Sequence, residues 1–145
     1  MWDEARRTPE LGLPAHLTLQ LFEGDEAIFS SGKHWLLPLF DLDEFFDQSG
    51  HDPARTRLVD RVTGRAAALM VARLGIPELH TLLLSRRAIP VLEQHGIRYG
   101  CRELVDQILC TTETLFDQDQ DLDAVWSHLQ ERRLQAASAV GMGQR

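Results

Sequence analysis

Cysteine is scarce. The 145 residues hold two, Cys101 and Cys110. That is too few for a disulfide framework, and such usage points to a reduced, cytoplasmic protein. Positive charge is also in deficit: 15 Lys and Arg against 22 Asp and Glu leave a net charge of −7. An acidic chain grips a phosphate backbone poorly, so no nucleic-acid partner is expected. Long hydrophobic runs are missing too. The longest are 35–40, interrupted by Pro38, and 66–72, so no membrane span is expected. The opening MWDEARR lacks the apolar stretch of a secretory signal. What is present is a globular composition, 43% hydrophobic and 26% charged, at the length of one domain. Residues 1–14 read as a loose lead-in, 15–137 as a single domain and 138–145 as a frayed tail.

Periodicity outlines the elements. Segment 17–22 (LTLQLF) is rich in strand formers, with Leu17, Leu19 and Leu21 on one face. A turn at Gly24-Asp25 and a second extended stretch, 27–30 (AIFS), complete a β-hairpin. Residues 34–46 place Trp35, Leu36, Leu39, Phe40, Leu42, Phe45 and Phe46 at near-helical spacing, with Pro38 in the first turn, where proline is tolerated. Segment 58–62 (LVDRV) fits either a short strand or the entry to a helix. Residues 63–75 (TGRAAALMVARLG) read as a helix with Thr63 as N-cap and Gly75 just past its end. Its alanines and few charges predict burial on most sides.

The apolar run 79–84 (LHTLLL) suits a central strand covered on both faces. After it come a short helix over 88–95 closed by Gly96, a short strand at 97–99 and a helix over 102–110. A last helix runs from Asp121 to about Ala137, with Leu122, Val125, Trp126, Leu129 and Leu134 on one face. The expected core is Leu19, Leu21, Ile28, Ala67, Leu69, Met70, Leu82, Leu84, Val91, Ile97 and Val105. The alternation after an opening hairpin predicts an α/β fold: a mixed sheet of about four or five strands with helices packed on it.

Motif tests are mostly negative. Gly32-Lys33 resembles the end of a phosphate loop, but His34 stands where a hydroxyl residue is required and Ala27 where a glycine is. The acidic run 117–123 (DQDQDLD) places carboxylates at calcium-loop positions 1, 3, 5 and 7, yet Leu122 replaces the turn glycine and His128 the closing glutamate. It reads instead as a solvated acidic turn suited to a helix N-terminus. The six histidines are too dispersed for a local metal motif. Neither a G-x-S-x-G elbow nor H-E-x-x-H occurs. What remains is a polar cluster at two strand-to-helix junctions: Asp60, Arg61, Gly64 and Arg65 at the first, Ser85, Arg86 and Arg87 at the second. The carboxyl ends of strands in an open α/β sheet are the usual place for a ligand, and a helix start favours an anion.

Residues 19–30, 37–39, 59–69, 84–85, 91–97 and 103–105 together resemble a family of uncharacterised bacterial and archaeal proteins grouped as a domain of unknown function. Members are assigned a cytidine-deaminase-like fold. The resemblance therefore implies a three-layer sandwich with helices on both faces of the sheet. In zinc deaminases a His or Cys and a Glu stand at the start of the first core helix, and two Cys at the start of the next. The corresponding stretches here are 63–68 (TGRAAA) and 84–90 (LSRRAIP), which contain none of these. The chain also departs from the family pattern after Cys110, where residues 111–115 make a short connection in place of a longer Gly- and Cys-containing loop.

The expectation is thus a non-catalytic deaminase-like domain that binds a small anionic or nucleotide-like ligand through Asp60, Arg61, Gly64, Arg65, Ser85 and Arg86. It is expected to use no metal and no cofactor. Arg61 or Arg65 would hold the anion in bidentate fashion. The alternatives are a structural domain acting as a homodimer, through an edge strand or an exposed apolar helix face, and an enzyme of zinc-independent chemistry.

Overall fold

A computed structural model of the chain describes residues 12–108 and 121–143, with side chains up to 135. The hairpin forms as its pattern predicts: β1 (Leu19–Glu23) and β2 (Glu26–Ser31) pair antiparallel around Gly24, whose φ of 60° meets the turn's need for a left-handed residue. Next come α1 (Leu37–Ser49), with Pro38 in its first turn, and β3 (Thr56–Thr63). Then follow α2 (Arg65–Leu74), β4 (Glu78–Ser85), α3 (Ile89–Gln94), β5 (Arg98–Val105) and α4 (Leu122–Gly143). The sheet order is β2-β1-β3-β4-β5. β1 runs antiparallel to β2 and β3, while β3, β4 and β5 are mutually parallel. The parallel neighbours are joined by the crossover helices α2 and α3.

α2 is the hub. It packs against α1, α3 and α4 as well as the sheet, and eight of its ten residues are buried. Alanines allow that closeness from every side. Trp126 of α4 meets Phe40 of α1 edge to face at 5.0 Å, and Arg73 of α2 lies 4.3 Å above the Trp126 ring while donating to Asp123 at 2.9 Å. Because α1, α3 and α4 all touch α2, the described helices share one side of the sheet. The expectation of helices on both faces is not met among the described residues. No described helix is long and apolar enough to cross a membrane.

Several further expectations are corrected. Thr63 ends β3 and Gly64 occupies the N-cap position of α2, because Thr63 is committed to the strand ladder. Residues 102–105 belong to β5 rather than to a helix, since pairing with β4 continues to Ser85↔Val105. Cys110 lies outside the described residues, while Cys101 is a buried thiol. The middle strand of the five is β3, not β4. Leu82 is half-buried, as are Ile28 and Val105; the rest of the expected core is buried. Leu134 is 57% exposed because, nine residues on from buried Val125, it lies half a turn round the helix from it. Helix α4 itself runs six residues past Ala137. Of the acidic run, 117–120 lies outside the described residues; the Asp121 carboxylate accepts from the Asp123 amide at 2.8 Å and so caps α4.

Candidate functional site

The carboxyl ends of β2, β3 and β4 and the start of β1 meet at one end of the sheet, as the pairings Leu19↔Ser31, Leu19↔Asp60 and Thr63↔Leu84 require. At that end lies a cavity of about 610 Å³, at the border between the antiparallel and parallel halves. Its volume falls within the range of small-molecule sites. Leu19, Leu36, Leu39, Ala66 and Ala67 provide apolar wall, and Asp60, His16, Lys33 and His34 bring polar groups.

Asp60 is the buried charge-bearing group of this wall, 8% exposed. Strand alternation puts it on the helix-covered face, beside Leu19 and Thr81. Its Oδ1 accepts from the Arg61 amide at 2.9 Å and its Oδ2 from the Thr63 hydroxyl at 3.0 Å. No cationic side chain among the described residues forms an ion pair with it. Burial pushes the carboxyl up to about 7 from its ordinary 3.8, and the bonds from Thr63, Arg61 and Val62 offset only part of that cost. Near neutral pH the group is therefore half protonated.

Arg61 has a different task. Its Nε donates to the Leu17 carbonyl at 3.1 Å, and its Nη2 to the Leu17 and Pro14 carbonyls at 2.6 and 3.0 Å. It thereby ties the segment before β1 to β3 and holds His16 at the cavity. On the opposite wall Gly32 lies so close to that segment that a Cβ would stand 2.8 Å from the His16 carbonyl oxygen. Trp35 follows with φ 59°, a strained conformation for a bulky side chain; the residue is 38% exposed and lines the cavity. Lys33, the chain's single lysine, pairs with Asp41 at 2.8 Å.

The six candidate residues separate into two groups. Asp60, Arg61 and Gly64 border the cavity. Arg65, Ser85 and Arg86 instead gather around the turn after β4: buried Arg65, the first residue of α2, donates to the Arg87 carbonyl at 3.4 Å, Ser85 at the end of β4 accepts from the Arg87 amide at 3.1 Å, and exposed Arg86 donates to Asp106 at 3.0 Å. Sequence reasoning missed His16, Lys33, His34 and Trp35. Gly32-Lys33 was visible only as a failed phosphate loop, and nothing local marks the left-handed turn at Trp35.

Gly64 is in ordinary extended conformation, φ −99° and ψ −172°, and contributes no side-chain cap to α2. The first amides of α2 have no intrahelical acceptor, and Ala66 and Ala67 carry that helix start along the cavity wall. This end of the cavity presents hydrogen-bond donors and a partial positive charge.

The model of the TM1506 domain of unknown function (DUF1893) matches residues 15–132. The chain belongs to this family. A crystal structure of a DUF1893 protein, TM1506 from Thermotoga maritima, superposes with a TM-score of 0.71 over 80% of each chain at 21% identity, a likeness of fold. No curated protein matches the chain. The two stretches that the resemblance would assign to a deaminase zinc hold Gly64, Arg65, Ala66 and Ala67 in one and Ser85, Arg86 and Arg87 in the other. Arginine is permanently cationic and alanine carries no donor atom, so this set does not fit zinc. Among the described residues no three His, Cys, Asp or Glu side chains are placed to hold a metal ion.

Proposed function

We propose that this DUF1893 domain is a non-catalytic, deaminase-like binding module for a small anionic or nucleotide-like ligand. The observation that carries the reading is the 610 Å³ cavity joining the uncapped start of α2 to buried Asp60. The hairpin followed by two β-α-β crossovers supports the deaminase-like architecture, and the misfit of the zinc stretches supports a role without that chemistry. The anion lies against the α2 amides, and the exposed face of Trp35 offers a planar body something to stack on.

Native mass spectrometry of the purified chain tests this, followed by amide chemical-shift mapping with small carboxylates and nucleotides. Shifts at Gly32, Gly64 and Ala66 are expected. Saturable binding with shifts elsewhere only would remove the cavity from consideration. A second reading, a homodimer, draws on β2, an edge strand of the described sheet. A chain that sediments as a monomer at high micromolar concentration would dispose of it.

A further inference from the structure

We propose that the cavity takes a carboxylate monoanion with an apolar body, whose oxyanion shares one proton with Asp60 beside the start of α2. This rests on the reading of the cavity as a ligand site and adds the ligand's chemical class and its proton.

The wall decides the charge. Asp60 is nine-tenths buried with three internal donors, the Thr63 hydroxyl and the Arg61 and Val62 amides. The cations that face this region are engaged elsewhere. Arg61 of β3 donates to the Pro14 and Leu17 carbonyls, Lys33 after β2 pairs with Asp41 of α1, and Arg65 of α2 turns to the Arg87 carbonyl. From β4 the neighbour is Thr81, which is uncharged, and from the segments beside β1 and β2 come His16 and His34. Among the described residues an ionised Asp60 would thus have no ion-pair partner, only the charge of Arg61 acting without a salt bridge, whereas a protonated Asp60 turns this end of the cavity into a set of donors. Its O–H and the α2 amides then suit an acceptor that carries one negative charge. Two carboxyl groups sharing one proton is the stable arrangement when both cannot ionise at close range. A dianion such as a phosphate monoester would need a further cation, and these are committed. Leu19, Leu36, Leu39 and Ala66 leave an apolar body as the complement of the remaining wall. The raised affinity of Asp60 for its proton agrees with this arrangement.

Benzoate, benzamide and benzamidine are probes of one shape and three charges. Calorimetry in two buffers of different ionisation enthalpy counts protons, and amide shifts at Gly32, Gly64 and Ala66 report occupancy. Benzoate is expected to bind with net proton uptake above pH 7. Its affinity should fall up to tenfold per pH unit above that point, and it should exceed benzamidine at least tenfold at pH 6. In Asp60→Asn the side-chain amide still donates, so benzoate binding should persist without its pH dependence. Cavity shifts with benzamidine binding tightest, or benzoate binding without proton uptake, would overturn the shared proton while leaving a ligand cavity standing. Absence of cavity shifts with all three probes at millimolar concentration would overturn both.

Discussion

The Thr63 hydroxyl donates to Asp60 Oδ2 at 3.0 Å, so the residue expected to cap α2 holds the cavity carboxyl instead. One side chain thereby leaves the helix start uncapped and fixes the acid beside it. Thr63→Val keeps the shape and removes this donor. The Asp60 pKa should rise further, because the bond that favours its charged form is gone. A carbon-detected titration of the Asp60 carboxyl reads this directly; an unchanged midpoint would mean the hydroxyl does not govern it.

Asp60 also sets a pH dependence of folding. Its folded pKa is raised to about 7 from 3.8, so between these values the native state binds more protons than the unfolded chain. The contribution is fully present below about 4 and is lost as pH rises through 7, with a slope of up to about 1.4 kcal/mol per pH unit. Asp60→Asn should flatten this part of the profile and leave the variant at least as stable as the parent at pH 8. Urea denaturation from pH 4 to 8 checks the sign. A stability that rises across this window and keeps the same slope in Asp60→Asn would contradict it.

Gly32 is a steric requirement rather than a turn residue. Gly32→Ala sets a methyl 2.8 Å from a backbone oxygen, so the 14–17 segment or β2 must shift. A loss of about 1–3 kcal/mol is expected, together with altered amide shifts at His16 and Thr18. Thermal unfolding within about 0.5 kcal/mol of the parent would show that the two segments separate freely.

Leu84 and Leu82 should differ although they stand two residues apart in one strand. Leu84 is fully buried and Leu82 is not. Leu84→Ala is expected to cost about 2–5 kcal/mol and Leu82→Ala clearly less. Equal losses in chemical denaturation would mean that Leu82 is packed as closely as Leu84.

Arg73 links three helices, donating to Asp123, lying over Trp126 and standing 3.7 Å from Asp43. Arg73→Ala should loosen α4 from α2, at a cost of about 1–2 kcal/mol. Faster hydrogen exchange in α4 than in α2 would accompany it, and uniform exchange across both helices would count against this link.

Local signals carried much of the fold. Gly24-Asp25 between alternating apolar stretches dictates the β1–β2 hairpin. The alanine run between Thr63 and Gly75 dictates a helix with no solvent face, and Leu122, Val125, Trp126 and Leu129 orient α4. Each is a relation between residues within a few positions, where side-chain period and turn chemistry act directly. Residues 102–105 fit a helix equally well in isolation and became strand because β4 supplied hydrogen-bond partners from a distant part of the chain. The same holds for the site. Asp60 and Gly64 are legible as a strand-to-helix junction, but the cavity exists because Arg61 draws the 14–17 segment onto β3 and Gly32 lets it close against β2. His16, Lys33 and Trp35 thus reach Asp60 only through contacts between segments far apart in sequence. Burial does the rest: a carboxyl ordinary in the sequence acquires its neutral-pH proton solely from the surroundings that the tertiary structure places around it.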